Sequence, residues 1–242
     1  MQRYFAKEKD NNKFILGQDD YYHIKTVMRM VAGDKIEVVY ENVPYLCELT
    51  SDYEVLIKEE LTKTDVNCEV NLILPLLKEQ KMDLVLQKST ELGVNNIYLF
   101  NAKRSIIRFD VCKENRKLER WSRICKEASE QSKRCDIPNI IVVDKTSDLA
   151  KLDGLKLICS TLEIKNNLKK VLQSNKNCAK INLIVGPEGG FDPKEETNLI
   201  ELGFIPVTLG NTILRVETVP IFLIGAINYE YMEWYNVIFK SS

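Results

Sequence analysis

The sequence predicts an α/β protein in two parts. Residues 1–70 read as a small β-rich domain of barrel type, and residues 71–242 as an α/β domain with a largely parallel sheet covered by helices. Three observations predict this. Up to about residue 70 the apolar segments are short and divided by turn residues. Beyond it, apolar runs of strand length alternate with stretches of helical period. The texture changes once, without an internal repeat or low-complexity tract, and 242 residues suffice for one large or two modest domains.

In the first part "DKIEVVY", "PYLCELT" and "EVLIKEE" predict strands, with Gly33-Asp34, Asn42 and Ser51-Asp52 as turns. In the second, "EVNLILPLL" is a strand of buried type, and "KEQKMDLVLQKSTELG" a helix that stops at Gly93. "NNIYLF" follows as a strand. Leu118, Trp121, Ile124, Cys125 and Ala128 fall on one face of a helix within 114–132. Strands are predicted at "NIIVVD", "LKLICS", "INLIV" and "FIPVTL", and a final helix from Thr218 onward. Leu84, Val85 and Leu86 read as core.

Hydrophobic residues make up 45% and charged residues 29%, a globular composition. No apolar run reaches the length of a membrane span, and the first residues lack the apolar centre of a signal peptide. A cytoplasmic protein without a membrane partner is expected. The seven cysteines form no C-x-x-C pair, and His23 is the single histidine, so no metal site is expected. Net charge is −1, but residues 1–72 carry −5 and residues 101–134 carry +6. Such a basic segment is either a solvated helix face or a surface that neutralises phosphates.

Three stretches carry candidate chemistry. In "LIVGPEGGFDPKEE" a strand end meets Gly186-Pro187-Glu188-Gly189-Gly190 and then a helix start. In parallel sheets ligands sit beyond strand carboxyl ends. Gly189 and Gly190 permit positive backbone dihedrals and close approach, while Pro187 stiffens the turn. Asp192 caps the next helix, Pro193 suits its first turn, and Glu195 has capping-box spacing. The loop matches no phosphate-binding pattern, and Glu188 repels anions, so it reads as the wall of a neutral or cationic ligand's pocket or as a tight turn. In "VTLGNTILRVETVP", Arg215 and Glu217 precede a helix and are either site residues or a structural ion pair. In "EASEQSKRCDIP", Gln131, Lys133 and Arg134 end a basic helix before Pro138. Arg134 suits phosphate or base-edge contacts, and the helix macrodipole also favours cations there.

"MQRYF", "LPLLKEQKMDLVLQKSTELGV", "KRS", "EASEQSKR", "LIVGPEGGFDPKE" and "LGNTILRVET" occur in this order over nearly the whole chain. Together they resemble the bacterial ribosomal RNA small subunit methyltransferase E family, in the SPOUT class of knotted methyltransferases. The resemblance implies a PUA-like RNA-binding barrel followed by an α/β trefoil-knot domain, with S-adenosylmethionine as cofactor. It implies a homodimer that methylates N3 of a uridine in the decoding region of 16S rRNA, in the small ribosomal subunit. By it, Gly186, Pro187, Glu188, Gly189 and Gly190 form one cofactor wall, and Leu209, Gly210, Ile213 and Leu214 another. Arg215 is then the expected catalytic residue, stabilising charge on the deprotonated uridine, with Glu217 orienting it or assisting proton removal. Arg104, Gln131 and Arg134 are expected at the RNA.

The chain departs from the family pattern after Gln131-Ser132, where Lys133-Arg134-Cys135-Asp136 replaces the expected Gly-Arg-Asn-Arg, and at Val219-Pro220, where small residues are common. A related enzyme for another RNA and a non-catalytic assembly factor stand as alternatives.

Overall fold

The computed structural model describes residues 1–63, 68–108, 115–176 and 178–231. The chain divides into two compact units, Met1–Asp65 with Ser122–Pro138, and Val66–Trp121 with Asn139–Ser242.

The first unit is built on a six-stranded sheet. Its strands are β1 (Arg3–Phe5), β2 (Glu8–Asp10), β3 (Lys13–Ile15), β4 (Lys35–Tyr40), β5 (Val43–Leu49) and β6 (Val55–Glu60), in the order β1-β4-β5-β6-β3-β2. All pairings are antiparallel except β1 with β4. A short helix α1 (Gln18–Tyr22) and a π-helical turn, His23–Val27, separate β3 from β4. Alternate residues supply the core, in which Tyr4, Phe14, Ile36, Val38, Cys47 and Val55 are buried. The first three strands were not predicted: at three residues each they are too short to display a period.

Residues 122–138 bring charge into this unit. Lys126 pairs with buried Asp20 and, at 2.9 Å, with Glu130. Burial is the main cause that raises the Glu130 pKa. Burial, then the charges of Glu130 and Asp20, push the Tyr4 phenol up to about 12. Tyr4 and His23 Nδ1 share a 2.9 Å hydrogen bond, which gives the lone histidine a structural role.

Arg3 explains "MQRYF". Its guanidinium donates to the backbone carbonyls of Lys133 and, at 3.1 Å, Arg134, in the turn that follows the helix ending at Gln131, and pairs with Glu37 at 2.7 Å. Burial alone would raise the Glu37 pKa, but Arg3 and Lys133 outweigh it and lower it. That contribution to stability is full above the ordinary glutamate value of about 4.3 and is lost as pH falls through the lower folded-state value. In urea denaturation, Glu37→Gln is therefore expected to be less stable than wild type at neutral pH, with the gap closing on acidification.

The second unit contains six parallel strands. In chain order its elements are β7 (Glu69–Pro75), α2 (Glu79–Glu91), β8 (Asn96–Phe100), α3 (Asn115–Gln131), β9 (Asn139–Val142), β10 (Leu155–Cys159), α4 (Leu168–Ser174), β11 (Lys180–Ile184), α5 (Pro193–Glu201), β12 (Ile205–Val207) and α6 (Thr218–Tyr231). Only the first residues of α3 belong here; the rest lie in the first unit. Strand order is β12-β10-β11-β7-β8-β9. Gly93, at φ +98°, follows α2 as expected. On one sheet face Ile73, Ile158 and Ile184 pack with Phe191, Leu199 and Phe204. Val85 and Leu86 are fully buried, but Leu84, expected in the core, is 40% exposed on the outer side of α2. Pro220 is tolerated in α6 because it lies in the first turn, where its missing N–H has no intrahelical partner to lose.

An asparagine ladder fixes the sheet register. Asn182, Asn71, Asn96 and Asn139 are register partners on four neighbouring strands. Their side-chain amides join in series, Asn71 to Asn182 at 2.9 Å, Asn96 to Asn71 at 2.8 Å and Asn139 to Asn96 at 3.0 Å. Asn71 and Asn182 are buried, so a one-residue slip would strand their polar groups. Asn182→Ala is expected to cost about 1–3 kcal/mol in chemical denaturation, because the Asn71 amide then loses its acceptor in the interior. Loss of less than about 0.5 kcal/mol would show that the ladder does not stabilise the sheet.

Candidate active site

Because every strand of the second unit points the same way, the segments after β7, β8, β10, β11 and β12 leave from one edge of the sheet. The chain runs from β7 outward through β8 to β9, then crosses to β10 and returns with β11 beside β7. The β7–β11 boundary is therefore a topological switch point, the place where open parallel sheets hold ligands. The candidate residues after β11 and β12 lie at this edge.

The loop after β11 is a turn closed by the Gly190 N–H donating to Pro187 O at 2.8 Å. Its glycines differ in purpose. Gly190 alone has positive φ, +67°. A Cβ on Gly186 would lie 2.9 Å from two ring carbons of Phe191. Gly189 has room for a Cβ, which would meet Arg104 Cβ at an ordinary 3.7 Å, and its carbonyl accepts from Arg104 Nη1 at 3.3 Å. Arg104 thus packs on the Gly186–Gly190 turn while keeping an exposed guanidinium.

Asp192 caps α5 by accepting from the Lys194 N–H at 3.1 Å, with Pro193 in the first turn as expected. Lys103 lies 3.2 Å from Asp192 and, with its hydrogen bond first, lowers the Asp192 pKa. Glu195 does not close a capping box. Its buried carboxylate accepts from the Lys103 backbone N–H at 3.0 Å, because the loop after β8 lies within reach.

After β12, Thr208 is held between Asn166, in the loop that follows β10, and Leu168, at the start of α4, by backbone hydrogen bonds of 2.9 and 3.1 Å. Leu209 is half-buried, Gly210 has φ +132°, Ile213 is 86% exposed and Leu214 is half-buried. Arg215 turns its carbonyl to the start of α6, accepting from Thr218 and Val219. Its side chain is exposed and makes no hydrogen bond or ion pair among the described residues.

Arg215 and Glu217 do not form a contact ion pair. Glu217 instead meets Lys81, in the first turn of α2, at 3.2 Å, and Lys81 also meets Glu188 at 2.5 Å. The Glu217 pKa is lowered, first by its own backbone N–H, then against desolvation by Lys81 and the more distant charge of Arg215. Lys81 was missed in the sequence. "KEQK" reads as an ordinary charged first turn, and nothing local shows that two glutamates from distant segments arrive there.

In the first unit, Gln131 is exposed at the end of α3. Arg134 is turned onto Asp136, with Nη2–Oδ2 at 2.7 Å and Nε–Oδ1 at 3.3 Å, and its side chain is only 10% exposed. The acid that departs from the family pattern is thus the group that holds this arginine. Among the described residues no group of three or more histidine, cysteine, aspartate or glutamate side chains is placed to hold a metal ion, and no helix is long and apolar enough to cross a membrane.

The arrangement offers glycine backbone open to a ligand at Gly190 and Gly210, an exposed apolar side chain at Ile213, and at Arg215 a guanidinium unpaired among the described residues. That set suits a ligand with a flat apolar part and, at Arg215, one that develops negative charge. An RNA methyltransferase domain family matches residues 64–228, and an RNA methyltransferase PUA domain family matches residues 16–59. The chain is 37% identical to ribosomal RNA small subunit methyltransferase E of Mesomycoplasma hyopneumoniae, over 93% of this chain and 97% of that protein. It is 30% identical to the protein of that name from Bacillus subtilis, over 95% and 97%. The crystal structure of a ribosomal RNA small subunit methyltransferase E from Neisseria gonorrhoeae bound to S-adenosyl methionine superposes with a TM-score of 0.84, at 29% identity, covering 96% of this chain and 98% of that one.

Proposed function

Since the chain belongs to the ribosomal RNA small subunit methyltransferase E family, we propose that it transfers a methyl group from S-adenosylmethionine to N3 of a uridine in the decoding region of 16S rRNA. The observation that carries the chemistry is Arg215, exposed and unpaired among the described residues at the carboxyl edge of the sheet, two residues from an ionised Glu217.

Gly186 to Gly190 hold one side of the cofactor, and Leu209, Gly210, Ile213 and Leu214 the other, in the knotted arrangement of the SPOUT class. When bound, S-adenosylmethionine supplies an electrophilic methyl on a sulfonium. The uridine N3–H is weakly acidic at neutral pH, and its loss to solvent water spreads charge onto the two flanking ring oxygens. Arg215 stabilises that charge, as an oxyanion site does. Glu217 acts on Arg215 through its charge two residues away, without a contact pair. Its lowered pKa makes it a weak proton acceptor, so the electrostatic role is favoured over removal of the proton. Alignment by the two walls lowers the barrier further, since an in-line displacement depends on geometry.

Arg104 and Gln131 offer exposed donors to RNA, and Arg134 joins them if phosphate displaces Asp136. The PUA-like unit adds RNA contacts. A homodimer is supported by α6, whose buried Leu223, Ile224 and Ile227 are complemented by exposed Phe222 and Tyr229 on the other side. The reading places the enzyme in the cytoplasm, with its ribosomal substrate.

The test is methyl transfer to small subunits that lack the modification, using isotopically labelled S-adenosylmethionine and mass spectrometry of the digested RNA. Labelled 3-methyluridine is expected. Label in another nucleoside, or transfer only to another RNA, would overturn the target; the capture of Arg134 by Asp136 is the feature that favours a different RNA. Cofactor binding without transfer would mark a non-catalytic assembly factor.

A further inference from the structure

Lys81 belongs to neither loop discussed above, yet it is the only ion-pair partner that Glu188 and Glu217 have among the described residues. Its Nζ lies 2.5 Å from Glu188 Oε1 and 3.2 Å from Glu217 Oε2. Glu188 comes from the turn after β11, Glu217 from the segment after β12, and Lys81 from the helix after β7. Three chain segments are thus joined at one ammonium, at the β7–β11 switch point. The anchor is firm because the next residue, Met82, and then Val85 and Leu86 are fully buried under α2. The loops have no comparable tie through these residues: Arg215 forms no ion pair with Glu217, and Arg104 holds Gly189 by its carbonyl. Without the ammonium, two carboxylates would face each other across the site and repel.

We infer that Lys81 is a positioning residue for methyl transfer, tying the Glu188 turn to the Glu217 end of the Arg215 segment so that cofactor wall and substrate-facing guanidinium keep one separation. The inference rests on the cofactor and Arg215 assignments proposed above. It differs from a stabilising surface pair in one respect. A surface pair of partly exposed side chains contributes little and leaves ligand binding alone, whereas a positioning cation couples two loops. Lys81 is charged in either case, since its pKa is raised first by the hydrogen bond to Glu188 and then by the Glu217 carboxylate.

The experiment measures S-adenosylmethionine affinity by calorimetry and single-turnover transfer to small subunits for the wild type, Lys81→Met, Lys81→Gln, Lys81→Arg, Glu188→Gln and the double variant Lys81→Met/Glu188→Gln. Thermal melts confirm that each is folded. Lys81→Met and Lys81→Gln are expected to weaken cofactor binding about tenfold and to slow transfer at saturating cofactor about tenfold, while Lys81→Arg stays within about threefold of wild type. Glu188→Gln is expected to weaken binding in the wild-type background but, once Lys81 is methionine, to relieve the repulsion with Glu217 and recover part of the loss. Affinity and rate within about twofold of wild type in the folded neutral variants would overturn the inference, as would equal effects of Glu188→Gln in both backgrounds. A wild-type protein that binds no S-adenosylmethionine would instead overturn the cofactor reading, and the inference with it, before any variant is compared.

Discussion

Arg215→Ala is expected to lower the rate of methyl transfer by about 10²- to 10³-fold, the usual loss when one donor to a developing oxyanion is removed. Cofactor affinity should stay within about twofold of wild type, because the Arg215 side chain is exposed and makes no hydrogen bond or ion pair among the described residues that would hold the proposed cofactor walls. Stability should hardly change, since an exposed side chain without partners leaves no cavity behind. Arg215→Lys should recover only part of the rate, because a single ammonium lacks the forked geometry that lets a guanidinium reach along a ring edge. Single-turnover kinetics with labelled cofactor separates these effects. Wild-type turnover in Arg215→Ala, with unchanged binding, would remove Arg215 from the mechanism.

Gly186→Ala is expected to be the most damaging single-methyl change in the proposed cofactor loop. The new carbon would lie 2.9 Å from Cδ2 and Cε2 of Phe191, whose ring is 8% exposed and packed with Ile184 and Leu199. Neither the ring nor the strand end can yield freely, so overpacking should cost about 1–3 kcal/mol and move the turn. Cofactor affinity should fall at least about tenfold. Gly190→Ala meets no atom within 4 Å but must hold φ +67°, which costs about 1–2 kcal/mol. Gly189→Ala, with ordinary contacts of 3.7 Å to Arg104, should be the mildest. Calorimetry and thermal melting of the three variants check the order. A Gly186→Ala protein that binds as tightly as wild type would mean that the turn is not the cofactor wall.

Most of the second unit was legible because its strands are long and apolar and its helices carry a clear period. "EVNLILPLL" and "KEQKMDLVLQKSTELG" correspond to β7 and α2 with shifts of at most two residues at the ends. The glycine turn and the Asp192–Pro193 helix start were also legible, because capping and turn chemistry are local. β1, β2 and β3 were not. "RYF", "EKD" and "KFI" gain their strand character from partners as far away as β4 and β6, and three residues carry no period of their own. The division of α3 between the two compact units was equally invisible, since its amphipathic stripe reads the same along its length.

The candidate site divides along the same line. The sequence by itself determined that strand ends carry "GPEGGF" and "ILRVET", which chemistry those residue types support, and, through resemblance, the family. Tertiary structure decided the partners. It gave Glu217 to Lys81 rather than Arg215, Glu195 to the Lys103 backbone rather than its own helix end, Arg134 to Asp136, and Arg104 to Gly189. Local choices follow from dihedral preference and period, which a short window contains. Ion pairs between segments separated by 107 residues, as for Lys81 and Glu188, depend on which strands become neighbours, and only the folded sheet order fixes that.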